Sequence, residues 1–482
     1  MARLVLASLA AAFLRCCLGD TVEADCKDGE RPGLSFIQAK ALARDSPNAK
    51  KVDYLWSSGR GNFPNYGVSP ASAPFDLAHK KVWNWSHPLG RFATLTYGTA
   101  IDHQRNIYLS GADGVRKFDH KGKMLWEYDS LPAEMMDAPS LHDGKLYGSD
   151  TQGNVVALDM DSGEVVWRTK VAKEIGQDNG FTMAKDGVVL AATDFRLPSP
   201  LPTAAANHKV QALNASNGSP MWSFEPDTPV WNFLPLFVDE GDFVFQDMTG
   251  KAYRVDLHTG SLIWKNGGLD DTWTDGSAAV GNGMVFTVHN NKKEPLTQLM
   301  GQYEPGTLSA YNLSNGELVW KLVTPRPPNN APAVGKVKGL DGVSVVMPLC
   351  QQIIPGSFCD VHVYDADTGD LQWVFHGPQQ TTLMQAGDLE GISARTLRGI
   401  RSTCLPNGWS APSIDAHGTV FVGNEQGNLF ALRDMDGDGT IYGDDEISSY
   451  DTQAAFSGSS SPAIAPGLLA VASCDSLFVF KD

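Results

Sequence analysis

Apolar and polar residues alternate along most of this chain in short runs of four to six, each closed by Asp or Asn and a Gly. Period-two alternation punctuated this often predicts many short strands, each with one packed face, joined by tight turns. One version of the pattern recurs: an alternating strand, Asp or Asn, a turn ending in Gly, and Trp four residues after that Gly. The copies are Val155–Gly163 with Trp167, Val210–Gly218 with Trp222 and Ala252–Gly260 with Trp264. Leu308–Gly316 with Trp320 and Val361–Gly369 with Trp373 follow, and the shorter Val115–Gly122 with Trp126 precedes them all.

Each part of the repeat has a physical reason. Asp or Asn starts the turn through its side chain, and Gly accepts the positive φ that ends it. Trp on the following outer strand is wide enough to wedge between neighbouring sheets. Gly-to-Gly spacings of 41, 55, 42, 56 and 53 residues fit four-stranded blades with loops of variable length.

The expected fold is therefore all-β: an eight-bladed β-propeller of four-stranded antiparallel blades over residues 54–482. Asn428–Arg433 repeats the strand, but an acidic segment replaces its turn. Leu477–Phe480 reads as a third strand with no fourth behind it, and Lys81–Trp85 as a fourth strand with no blade before it. Pairing the two closes the ring and removes two free sheet edges. Seven blades result if one irregular copy is not a blade.

The repeat resembles that of the PQQ-repeat family, which includes quinoprotein alcohol dehydrogenases and the propeller lipoprotein of the bacterial outer-membrane assembly machinery. The lead-in Trp56–Pro70 also resembles the start of such propellers. The resemblance implies the fold; it leaves function open, because one scaffold hosts catalysts and binding proteins alike. Quinoprotein enzymes stack PQQ between a Trp and, in many members, a disulfide of adjacent cysteines, with calcium held by Glu and Asn and an Asp as base. The only adjacent cysteines here are Cys16 and Cys17, and no residue set maps one by one onto that site.

The N-terminus changes the picture of location. Arg3, the apolar run Leu4–Leu14 and the small residues of Cys17–Gly19 read as a secretory signal over 1–19, followed by a leader over 20–53. No later stretch has the 18 or more apolar residues of a membrane span. Export suits disulfides. Cys350 and Cys359 flank a short loop and are expected to pair, with Cys404 and Cys474 a second pairing. Four Asn-x-Ser sequons, at Asn84, Asn214, Asn217 and Asn312, fit a eukaryotic secretory route and a glycosylated surface. A net charge of −17 argues against nucleic acid and anionic membranes as partners.

The sharpest chemical motif is the acidic segment 434–446. Asp434, Asp436 and Asp438 occupy positions 1, 3 and 5 of an EF-hand-type calcium loop, with Gly439 at 6, Thr440 at 7 and Ile441 at 8. Position 12 is Asp445 where Glu is usual, and Glu446 follows directly. The shorter side chain weakens bidentate coordination and lets magnesium compete. The bland alternative is an acidic turn.

The second signal is positional. In a blade with strands A to D from the inside out, the B–C and D–A connections leave on one face. Long insertions at Arg196–His208, Asn291–Gly306 and Gln351–Phe358 are B–C loops, and Gly377–Thr403 is a D–A loop. The calcium loop is a C–D connection on the opposite face. Near the insertion-bearing face the inner strands begin with Asp137, Asn179, Trp231, Asn232, Trp273, Asp275, Asn407 and Trp409. Such residues round a funnel suit a protein or glycan ligand, or cap the strand starts. Arg395, Arg398 and Arg401 read as one side of a short helix. No nucleophile elbow, His-Glu-x-x-His or Cys-x-x-Cys occurs. The sequence thus reads as a secreted calcium-binding scaffold; the competing class is a PQQ-dependent oxidoreductase acting on alcohols or sugars.

Overall fold

The computed structural model describes residues 54–482 apart from 65, 91–94, 96–97, 136, 177–179, 197–205, 239–240, 292–304, 351–357, 380–407 and 457–460. The expected leader and signal lie outside the described residues, as do the sequence-derived helix with Arg395, Arg398 and Arg401, and Cys404.

The strands form eight four-stranded antiparallel sheets. The first blade runs through Thr99–Ile101, Ile107–Gly111, Gly114–Phe118 and Met124–Asp129, and six more repeat this A-to-D order along the chain. The eighth contributes only Ala463–Ala465, Leu468–Ala472 and Ser476–Lys481; its outer strand is Lys81–Ser86 from the other end of the chain. Trp83 faces Val479 and Trp85 faces Leu477 across that junction. Ring closure is as the alternation predicted, and eight blades is the count.

The core lies in the seams between blades, and the repeat's Trp fills most of them. Trp126 sits on Gly163 of the next blade and donates from Nε1 to Met160 O at 3.1 Å. Trp167 meets Gly218 and donates to Ala215 O, Trp222 meets Gly260 and Leu257 O, and Trp264 meets Gly316 and Leu313 O. Trp320 docks on Gly369 and Ala366 O, and at the ring closure Trp83 docks on Gly122 and His120 O. Glycine is required twice over here. Gly260 has φ +71°, and a Cβ on it would lie 2.6 Å from the Trp222 ring. The indole therefore rests directly on backbone, burying a large apolar area while its N–H finds a carbonyl.

The axis of the ring is filled by the chain's own lead-in. Trp56 exchanges backbone hydrogen bonds with Ile101, Ser57 O accepts from Leu141 N, and Tyr66 Oη accepts from Phe237 N at 3.1 Å. Gly67 O accepts from Ile414 N, and Ser69 N donates back to Ile414 O. Arg60, 1% exposed, donates to Pro332 O at 2.7 Å, Pro412 O at 3.2 Å and Ser461 Oγ at 2.5 Å. Residues 54–70 thus bind innermost strands, or the residues leading into them, of the first, second, fourth, sixth, seventh and eighth blades. Burial pulls the Arg60 guanidinium down to about 9. Carbonyl dipoles stand where a counter-ion would otherwise be needed.

Candidate functional site

The insertions identified from the sequence are anchored as expected. Strands Val188–Arg196 and Ala206–Asn214, Met284–Asn290 and Gly306–Asn312, and Ser344–Cys350 and Cys359–Asp365 are B–C pairs; the fourth insertion joins strand Leu371–His376 to the blade starting at Ser413. All four leave the ring on one face. The disulfide between Cys350 and Cys359 is formed, with Cα atoms 4.2 Å apart at the ends of paired strands. It fixes the mouth of one insertion. Cys474 is also disulfide-bonded.

Of the eight candidate ligand residues, four come together between the fourth and fifth blades. Trp231 and Trp273 meet edge to face with ring centroids 6.1 Å apart. Asn232, in a left-handed conformation at φ +43°, donates from Nδ2 to Asp275 O at 2.7 Å. Asn329, absent from the sequence-derived set, gathers this group: its Oδ1 accepts from Asp275 N at 3.0 Å and Asn290 Nδ2 at 3.1 Å. Asn330 extends the chain of contacts by donating to Trp409 O at 2.8 Å. A narrow cleft lies there, lined by Asn329, Asn330, Cys350, Gly408 and Trp409.

The remaining candidates separate. Asp137 is a brace in the second blade, accepting from Ser149 N and Ser149 Oγ at 2.9 Å, and burial pushes its carboxyl up to about 6. Trp409 is 2% exposed and packs on Phe375 and Phe430, and Trp273 is 5% exposed. Both are core side chains, whereas Trp231 is half-buried. Asn179 and Asn407 lie outside the described residues. Among the sequons, Asn84 and Asn217 are exposed, whereas Asn214 and Asn312 are half-buried turn starters whose Oδ1 accepts from the hydroxyls of Ser216 and Ser314.

Sequence reasoning missed Glu425. It sits in the B–C turn of the seventh blade, its N–H donating to Gly408 O at 3.1 Å, and both carboxylate oxygens are buried with no hydrogen-bond partner among the described residues. Burial pushes its carboxyl up to about 8. An Asn-Glu-Gln-Gly turn reads as solvent-facing, so no local signal marks it. The paired Asn329–Asn330 after two prolines was the only visible hint of a special backbone at this end.

On the opposite face, segment 434–446 stands between strands Asn428–Leu432 and Ile447–Asp451, the C–D position foreseen. Asp434, Asp436 and Glu446 offer carboxylate oxygens within 4.8 Å of one another. Asp434 is 1% exposed; its Oδ1 accepts from Gly437 N at 2.6 Å, but its Oδ2 has no partner. Glu446 Oε2 accepts from Tyr442 N at 3.1 Å, and Oε1 from Met435 N at 2.5 Å. The negative field of Asp436, then Asp438, pushes the exposed Tyr442 phenol up. Asp438 accepts from Thr440 N at 2.7 Å, and neither it nor Asp445 joins the three-carboxylate group. Glu446, not Asp445, closes the loop because the chain must turn into Ile447 of the outer strand, which carries residue 446 back toward Asp434.

A ring of PQQ-type blades docked Trp on Gly, with its insertions on one face, defines the class of this protein. The family model for the outer membrane protein assembly factor BamB, a PQQ-repeat model, matches residues 111–292 and again 248–461. The chain belongs to that family. It is 26% identical over 313 residues to a tetrathionate hydrolase of Acidithiobacillus ferrooxidans, covering 61% of this chain and 56% of that protein. It is also 26% identical over 226 residues to BamB of Yersinia pestis, covering 42% and 49%. The chain thus spans about half the length of these curated relatives. A quinohemoprotein alcohol dehydrogenase from Comamonas testosteroni shares the fold at 12% identity, with TM-score 0.60, over 93% of this chain and 82% of that one. Among the described residues no helix is long and apolar enough to cross a membrane.

Proposed function

We propose that this protein is an extracytoplasmic scaffold that holds a protein partner on its insertion-bearing face and calcium in the 434–446 loop. The observation that carries the reading is the gathering of four insertions on one face of a ring whose axis is already filled by residues 54–70. A rigid base with variable loops is how propellers present binding surfaces. The relation to BamB, an assembly factor, supports a binding role outside the cytoplasm. A glycan ligand is the finer alternative on the same surface, with half-buried Trp231 as its stacking platform.

The test shortens each insertion to a tight turn and compares the variants with the full chain in crosslinking to proteins of the secretory pathway. A partner that is lost with the trimmed insertions, and kept when C–D turns on the other face are altered, supports the scaffold. Loss of crosslinking with neither set, or with both, removes the assignment of the face.

A PQQ-dependent oxidoreductase is the second reading, favoured by the shared fold with the quinohemoprotein dehydrogenase. The residues around the disulfide and Trp409 do not fit the quinone. The disulfide is cross-strand, and a Cβ on Gly408 would lie 1.9 Å from Cys350 Sγ, so no gap between disulfide and backbone is open to a flat ring there. Trp409 has its ring engaged by Phe375 and Phe430. Titrating the protein with PQQ, with and without calcium, and assaying dye-coupled oxidation of alcohols and aldoses discriminates the two classes.

A further inference from the structure

Every repeat Trp but one finds its docking turn. Trp373, at the outer strand of the sixth blade, is 1% exposed, and its Nε1 is buried without a hydrogen-bond acceptor. The turn that would have received it is the one replaced by the acidic loop. What meets the sixth blade instead is the middle of that loop. Val374 N donates to Gly439 O at 3.1 Å, Ile441 N donates to Val374 O at 3.2 Å, and Thr440 bridges Val374 in parallel. Ile441 is 4% exposed and belongs to the same apolar cluster as Trp373.

We propose that calcium held by Asp434, Asp436 and Glu446 is the fastener of the seam between the sixth and seventh blades, replacing the Trp–turn dock used at six other seams. The proposal rests on the cation reading of the loop and adds what the cation does. The loop leaves its blade at Asp434 and returns at Glu446, and its mid-span forms a strap on the neighbouring blade's outer edge. Ordinary C–D turns leave five residues between their strands, so their shape is fixed locally. Here the span is three times longer and carries carboxylates that repel one another, and Asp434 has a buried oxygen without a partner. A divalent cation ties the two ends together, neutralises the repulsion and satisfies that oxygen with the hard-ligand geometry calcium takes. Because the strap's hydrogen bonds to Val374 depend on the loop's shape, cation binding energy becomes seam energy.

The experiment is amide exchange by mass spectrometry on the full chain, with calcium and with EDTA, alongside calorimetric titration of calcium. Saturating calcium is expected to slow exchange at 371–376 and 439–441 roughly tenfold or more, and to leave the Trp264–Gly316 and Trp320–Gly369 seams unchanged. Asp436→Asn, at an exposed position that should not disturb folding, should abolish the calcium heat and give the EDTA pattern even with calcium present. If calcium binds but exchange at the sixth blade's outer strand does not change, the strap proposal is overturned while the cation reading stands. If calcium gives no heat and no protection, both fall. Uniform protection around the ring also overturns it, since the ion would then stabilise the whole fold and not this seam.

Discussion

Two neighbouring seams of this ring solve the same problem with opposite chemistry. Between the fifth and sixth blades, Trp320 lies on Gly369 and donates to Ala366 O at 3.0 Å, a contact made of apolar area and one neutral hydrogen bond. Between the sixth and seventh, Trp373 has no acceptor, and an acidic strap hydrogen-bonds across the gap. The Trp320 dock itself contains no ionisable group, so it should be insensitive to ions and to pH in the neutral range. The second seam has carboxylates at both ends of its strap. A repeat protein that fastens a seam through carboxylates has a place where its stability can respond to the surroundings.

The largest effect should come from deleting docked indoles. Trp167→Ala and Trp264→Ala should each destabilise by about 3–5 kcal/mol, as large buried aromatics do, read from denaturant melts. A loss under 1 kcal/mol would mean the docks do not hold the ring. Next comes glycine. Gly260→Ala meets both a positive φ and the Trp222 ring and should cost about 2–4 kcal/mol. Gly437→Ala, at φ +75° with nothing within 4 Å, should cost only about 1 kcal/mol. Equal losses would show that backbone strain, not indole contact, decides the position.

The cation should contribute less than a docked Trp in concert with its seam. At 100 times its dissociation constant calcium adds about 2.7 kcal/mol, so EDTA should lower the melting temperature measurably and Asp436→Asn should remove the difference. The comparison sharpens further with Phe. Trp320→Phe loses the bond to Ala366 O, whereas Trp373→Phe loses none and removes a buried unpaired N–H. The first should therefore cost about 1–2 kcal/mol more than the second.

Read per pH unit, the smallest and most local effect is at Glu425. Its folded carboxyl titrates near 8 against an ordinary 4.5. Between those values the folded state holds the extra proton, so stability falls as pH rises, by up to about 1.4 kcal/mol per unit, and levels off above 8. Glu425→Gln should remove that slope and raise stability at pH 8. A parallel pH profile of the two proteins would show that Glu425 is ionised and partnered in solution.

Much of this was written in the sequence. The Gly-to-Trp interval identified the blades, and the unmatched strands Lys81–Trp85 and Leu477–Phe480 identified the closure, because both follow from period-two packing and local turn chemistry. The Cys350–Cys359 pair and the C–D position of the acidic loop were legible for the same reason. The choice between the two candidate closing carboxylates was not: the sequence offered both Asp445 and Glu446, and the turn into the outer strand places Glu446 beside Asp434 and Asp436. For Trp273 and Trp409 the sequence left open a ligand contact or a cap of the strand start, and their burial at 5% and 2% exposure favours the cap. Burial by a blade tens of residues away leaves no local trace.

The sequence by itself determined the repeat, the closure of the ring and the position of one acidic loop, since strand periodicity and turn residues act over a few positions. Only the tertiary structure decided which indole rests on which glycine, that Arg60 and Tyr66 fill the axis, that Glu425 finds no partner among the described residues, and that the acidic loop faces the one repeat Trp without a dock. These are contacts between residues tens to hundreds of positions apart, fixed by closing the ring and not by any property of the segments alone.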